Sequence, residues 1–210
     1  MRVNIFKSVR APWPQETELD QIVCKMQSSQ ELYLRTLLYR KIRASGDITG
    51  AEQMKISKFP AFAPCALFYG GKSRNHVLGL TDLCYLDFDH VEEEKRLIDA
   101  MNILRDDRNV LLASRSVSNE GLHILIRYKL KDMELPPQIN SMTPNEMQGL
   151  YGEVHDYFAA KYLQKLDLMP DYNARNMGQL YIVSYDPELY YNPNAELLTI
   201  DVKELINKQE

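Results

Sequence analysis

The segment TDLCYLDFDHV, residues 81–91, closes an apolar run with two aspartates separated by one phenylalanine. In extended backbone, residues two apart share a face, so Asp87 and Asp89 project together while Leu86 and Phe88 turn to the packed side. Two carboxylates so placed repel one another unless a cation lies between them. Oxygen ligands suit Mg2+ or Mn2+, ions that keep coordination positions for water and phosphate. The plainer account is a strand end meeting solvent with two ordinary surface acids.

A second group lies in ASRSVSNEGLHILIRY, residues 113–128. Ser114, Ser116, Ser118 and Asn119 lead through a glycine into a strand on which alternation puts His123 and Arg127 on one face. Hydroxyls, backbone N–H groups, His and Arg together make a cradle for a triphosphate. A polar hairpin carrying a surface histidine is the competing account. A third stretch, PDYNARNMGQLYIVSYDPELYYNP (residues 170–193), offers Asp171 as a third carboxylate, with Asp167 as a rival, and Arg175 as a phosphate contact. Asp186 before Pro187 reads as a turn initiator. Tyr185, Tyr190 and Tyr191 read as packing or as base-stacking groups. Lys58, Lys72 and Arg74 are weaker candidates for contact with a template or triphosphate. His90 reads as a cap on the following helix, His155 has no assigned role, and Trp13 between two prolines reads as an anchor.

These groups need a scaffold. VNIFKSV predicts an opening strand. Leu19, Ile22, Val23 and Met26 predict one helix, and Leu34, Leu37, Leu38 and Ile42 the apolar face of the next. AEQMKISKFPAFAP (51–64) reads as a linker, CALFYGG as a short strand and turn, and LCYLDFD as a strong strand. Leu97, Ile98, Met101 and Leu104 mark a helix whose first turn holds Glu92, Glu93 and Glu94, where acids suit the helix dipole. VLLAS and GLHILIRY are adjacent strands, and 131–142 is a loop. Thr143 with Glu146 fits a capping box, with Pro144 at the first helical position. QLYIVSYDP is a strand and turn, and VKELINKQE a short polar helix. Strands and helices in this order predict an α+β fold, a mixed sheet packed with helices.

The 210 residues predict one domain: an N-terminal helical and strand extension over 1–60, a core over 61–200 and a polar tail over 201–210. With 45% hydrophobic residues the chain can bury a core without disulfides. A net charge of −4 argues against coating nucleic acid by bulk charge, while leaving room for a local basic groove. Three cysteines without CxxC spacing point to a reducing, cytoplasmic setting, and no apolar run reaches membrane-spanning length.

The order of these motifs (apolar strand with Asp-x-Asp, Ser-rich turn into Gly-x-His, then a further Asp) resembles the archaeo-eukaryotic primase, or primase-polymerase, superfamily. It is most similar to the primase-like N-terminal module of VirE-type proteins, which is often joined to a helicase-like ATPase. VNIFKSV, KFPAFAP, LCYLDFDH, SVSNEGLHILI and LYIVSYDPELYYNPNA carry the resemblance. It implies an RRM-like primase-polymerase core in which Asp87, Asp89 and Asp171 hold two Mg2+ or Mn2+ ions. His123, with Ser116, Ser118 and Asn119, would hold a nucleoside triphosphate against a single-stranded template. The implied activity is DNA-directed nucleotidyl transfer in replication of a mobile element or plasmid, alone or with an ATPase domain in cis or in trans. The alternative is an inactive primase-like module that binds nucleic acid or a helicase partner. The chain departs from the VirE-type pattern in having His123 where Lys is common and Gln179 where an Arg is common.

Overall fold

The structure is a computed structural model that describes residues 1–91, 93–131 and 142–201. The elements are, in order, β1 (Arg2–Phe6), β2 (Gln15–Glu18), α1 (Leu19–Ser28), α2 (Gln30–Ala44), α3 (Ile48–Lys58), β3 (Ala61–Ala63), β4 (Ala66–Phe68), β5 (Val77–Leu80) and β6 (Leu83–Phe88). They continue as α4 (Glu94–Arg105), β7 (Val110–Arg115), β8 (Leu122–Leu130), α5 (Pro144–Leu166), β9 (Tyr181–Ile182), β10 (Tyr190–Tyr191) and β11 (Leu198–Ile200). The fold is mixed α+β, as expected.

The sheet that bears the acids has β8 at its centre. β7 lies antiparallel along one edge of β8 and β6 antiparallel along the other, while β11 extends the sheet beside the C-terminal end of β8. β10 pairs with the outer edge of β7. β6 and β7 therefore run parallel with β8 between them, and α4 makes the crossover. Alternation divides the side chains cleanly. Cys84, Leu86 and Phe88 of β6 and Leu122, Ile124 and Ile126 of β8 point into a core shared with α4 and α5. Burying a side chain the size of Phe88 contributes roughly 2–3 kcal/mol.

The opposite face, with Leu83, Tyr85 and Leu125, packs on a second sheet of order β2-β1-β3-β9 through Phe6, Phe62 and Tyr181. Tyr181 bridges the layers, its ring centroid 4.8 Å from Phe62 and 5.3 Å from Tyr85. β1 hydrogen-bonds to β2 on one side and β3 on the other, so the opening strand of the 1–60 segment shares a sheet with β3 of the 61–200 segment.

α5 begins as its sequence predicts. Thr143 and Glu146 form both halves of a capping box, and Pro144 occupies the first turn. Met147, Tyr151, Val154, Phe158 and Tyr162 are buried along it. α1 buries Leu19, Ile22, Val23 and Met26, also as predicted.

Other expectations need correction. Residues 51–64 are no linker: they form most of α3, then β3. α2 is a helix, but it buries Leu32, Thr36 and Tyr39 and leaves Leu34, Leu37 and Leu38 exposed. The neighbours of α2 decide this, because Tyr39 packs edge-on against Phe59. α4 starts at Glu94 with Glu93 as its cap residue, so the acids of its first turn reduce to Glu94. Glu92 lies outside the described residues, as do the loop expected over 132–141 and the polar helix expected over 202–210. His90 does not cap α4; it is exposed, with φ at 59°. Trp13 anchors nothing, since 67% of it is exposed.

Candidate metal centre and cleft

Asp87 is the last acid on β6 before the strand ends, and it sits opposite His123 of β8 in register. Ser114 of β7 faces the same His123 from the other side. Asp87, His123 and Ser114 thus form a row across three strands on the face turned toward the second sheet. His123 Nε2 lies 3.3 Å from Asp87 Oδ1, and the Tyr85 hydroxyl donates to Asp87 Oδ2 at 3.2 Å. Tyr85 and Tyr181 hold the imidazole between ring edges and faces, with centroids 5.7 and 4.8 Å away.

Asp89 follows β6 and is exposed. Its approach to β8 requires Gly121. A Cβ there would lie 2.4 Å from the Phe88 carbonyl oxygen and 3.3 Å from Asp89 Oδ1. Asp171 reaches the same place from the chain after α5. Its N–H donates to the Asp87 carbonyl oxygen at 2.7 Å, which docks the segment on the free edge of β6. Its carboxylate caps the short 3-10 turn Tyr172–Arg175 and accepts from the backbone N–H and the side-chain amide of Asn173, at 2.9 and 3.0 Å. One carboxylate oxygen from each of Asp87, Asp89 and Asp171 lies within 4.8 Å of the others. Asp167, the rival acid, is elsewhere: it ends α5 with φ at 52° and pairs with Arg96.

Electrostatics separate the two acids of β6. Burial alone would raise the Asp87 carboxyl, but His123, the Tyr85 hydroxyl and Lys55 outweigh it and hold Asp87 below the usual carboxylate range. Asp89, although exposed as a residue, is pushed up, first by partial desolvation of its carboxyl and then by the charge of Asp87. Oδ1 of Asp87 is buried with only His123 Nε2 close to it, at 3.3 Å and outside hydrogen-bond geometry, and Nδ1 of His123 is unpartnered among the described residues. A buried carboxylate oxygen without a well-aligned donor has coordination capacity that a cation would satisfy. Three converging carboxylates with such an oxygen fit a hard divalent ion.

A cleft of about 400 Å³ opens beside the acids. Asp87, Asp89, His123, Ser116, Ser118, Lys55 and Lys72 line it, and Glu52 adds a further acid. The hydroxyls of Ser116 and Ser118 lie 3.0 Å apart.

Several residues expected at the site are occupied in other ways. Ser114 is buried, its hydroxyl 2.6 Å from that of Tyr181, so it braces His123 from below instead of lining the cleft. Asn119 adopts φ of 68° at the tip of the turn and borders a separate hollow with Arg40 and Arg43. Arg127 shares a face with His123 but lies four residues along the strand, roughly 13 Å away at strand rise. There its guanidinium binds Asp82 at 2.6 Å. Arg175 turns back to α5, with Nε 3.0 Å from both carboxylate oxygens of Asp156. Arg74 binds Asn145. Lys58 is exposed at the end of α3 and does not line the cleft. Tyr185 packs edge-on against Tyr33, Tyr190 and Tyr191 form β10, and Asp186 accepts the Arg115 and Glu188 N–H groups, a structural role.

The sequence reading missed Lys55, Tyr85, Gly121 and Asn173. Gly121 carried a signal, as a lone glycine at the start of a strand marks close backbone approach. Lys55 was hidden because its helix read as a linker.

The sequence profile of the BT4734-like, N-terminal domain family matches residues 54–191, a span that holds all three acids and most of the cleft lining, Val9 and Glu52 excepted. The chain belongs to that family. No curated protein and no solved structure matches it. In this BT4734-like domain, no helix among the described residues is long and apolar enough to cross a membrane.

Proposed function

We propose that this BT4734-like domain is a metal-dependent nucleotidyltransferase of the primase-polymerase type. It would join the α-phosphate of a nucleoside triphosphate to a 3′-hydroxyl on a single-stranded template, adding one nucleotide and releasing pyrophosphate. The observation that carries this reading is the meeting of Asp87, Asp89 and Asp171 beside a cleft whose lining includes the Ser116 and Ser118 hydroxyls, the His123 imidazole, Lys55 and Lys72. The succession β6-α4-β7-β8-α5, with sheet order β7-β8-β6, is in keeping with an RRM-like core.

The three carboxylates would hold Mg2+ or Mn2+, which when bound lowers the pKa of a coordinated hydroxyl and offsets charge on a leaving pyrophosphate. The chain's own groups position and neutralise. Lys55 and Lys72 draw the triphosphate into the cleft, Ser116 and Ser118 donate to its oxygens, and His123 orients against it from the sheet. Tyr85 and Ser114 act from beneath, through Asp87 and through Tyr181 beside His123.

The test is nucleotide incorporation on a single-stranded template with Mn2+, comparing the wild type with the Asp87→Asn, Asp89→Asn double variant. Loss of incorporation in a folded double variant is expected. Incorporation at the wild-type level would remove the assigned centre.

A further inference from the structure

Two hairpin tips stand at the mouth of the cleft. The β1–β2 tip is KSVRAPWP, residues 7–14, and the β4–β5 tip is YGGKSRNH, residues 69–76. They are tied together. Asn4 of β1 accepts the Phe68 N–H at 2.6 Å, Phe6 packs edge-on against Phe68, and the Lys72 ammonium donates to the Val9 carbonyl. Val9 and Lys72 both line the cleft that holds Asp87 and Asp89, so the joined tips continue its wall outward.

Their chemistry differs from that of the rest of the molecule. Lys7, Arg10, Lys72 and Arg74 are all exposed, and neither tip contains an acid, although the chain as a whole carries −4. Each tip also presents a large aromatic to solvent: Trp13 is 67% exposed and Tyr69 75% exposed, the two highest values among the exposed large apolar or aromatic side chains apart from Met169. Trp13 is flanked by Pro12 and Pro14, which restrict the backbone and limit the entropy lost on ordering the ring. Exposed aromatics among cations, with no acid in either tip, suit bases that stack and phosphates that need neutralising. A protein partner would be expected to bury a contiguous apolar patch, whereas here the aromatics are set among charges.

We infer that these two tips form a stacking platform for single-stranded nucleic acid, with Trp13 and Tyr69 carrying bases and the four cations tracking the backbone toward the cleft. This builds on the nucleotidyltransferase reading of the cleft but can be tested apart from it.

Trp13 is the only tryptophan in the chain, so emission excited selectively at tryptophan, apart from the 13 tyrosines, reports on the platform. The full chain is titrated with a short oligothymidine, without metal or nucleotide, following Trp13 emission and the anisotropy of a labelled oligomer. Saturable quenching is expected. Trp13→Ala and Tyr69→Ala should each weaken binding roughly tenfold with thermal stability unchanged. Raising salt from about 50 to about 200 mM should weaken wild-type binding roughly 50-fold if four phosphates are neutralised. Blunt duplex of the same length should bind more weakly and leave the emission unchanged. Unaltered emission at saturating oligomer, or full affinity in the Trp13→Ala, Tyr69→Ala double variant, would overturn the platform. The two readings fail separately. Quenching in a chain that incorporates no nucleotide would sink the catalytic proposal and keep the platform. Incorporation at limiting template that survives loss of both aromatics would sink the platform and keep the catalytic proposal.

Discussion

Asp171 donates its backbone N–H to the carbonyl oxygen of Asp87, at 2.7 Å across the free edge of β6. That bond joins residues far apart in sequence and makes the position of the third carboxylate a property of the sheet edge. Asn173 then fixes the direction of the Asp171 side chain.

Asp171 and Asp167 should therefore behave differently. Asp171→Asn is expected to weaken Mn2+ binding at least tenfold, read by titration calorimetry. Asp167→Asn, whose carboxylate is in solvent and only pairs with Arg96, should change neither metal affinity nor stability by more than about 0.5 kcal/mol. Equal effects from the two would contradict the placement of Asp171.

Divalent ions should stabilise the fold. A ligand bound only by the native state contributes about 2.7 kcal/mol at a hundredfold excess over its Kd, so Mn2+ should raise Tm by several degrees. The shift should vanish in the Asp87→Asn, Asp89→Asn variant. A wild-type Tm that does not move under saturating Mn2+ and Mg2+ would count against a metal centre.

Gly121→Ala should damage the site by displacing backbone. The added Cβ would meet the Phe88 carbonyl oxygen at 2.4 Å, and that oxygen cannot swing aside as a side chain can. A loss of roughly 1–3 kcal/mol in chemical denaturation is expected, together with weaker metal binding. Gly149→Ala, on α5 with open space around it, provides the contrast and should be neutral or stabilising by up to ~1 kcal/mol.

Stability should fall in acid partly through Asp107. Burial would raise this carboxyl, but Lys165, the Asn109 N–H and the Tyr162 hydroxyl together hold it below its ordinary value. A depressed folded-state pKa stabilises above the unfolded value, about 3.9, and the gain is lost as pH falls through the folded one. Asp107→Asn should cost roughly 1–2 kcal/mol at neutral pH and flatten the acid limb of a Tm-against-pH curve. An unchanged acid limb in the variant would show that the protein draws no stability from this group.

How much of this was legible beforehand depended on the range of each interaction. Period-two alternation was enough to put Asp87 and Asp89 on one face, because only local backbone geometry is involved. The capping box at Thr143 was equally local. Arg127 misled because sharing a face says nothing of distance along a strand, and four residues carried it to Asp82. Arg175 was close enough in sequence to Asp171, yet α5 offered Asp156 and Glu153 on its other side. The choice between Asp171 and Asp167 rested on a hydrogen bond to another strand, which no pattern near either residue encodes. α3 escaped notice because it buries only Ala51 fully, so it lacks the apolar stripe by which helices are recognised.

The family match begins at residue 54, inside α3, while β1 comes before it and covers one edge of β3. A chain trimmed to the matched span would bare that edge, with Phe62 beside it robbed of its neighbours. Unpaired backbone on an apolar strand is a template for the same strand in another molecule. The opening residues thus act as a guard strand, and their removal should yield aggregates seeded at β3 before any question of activity arises.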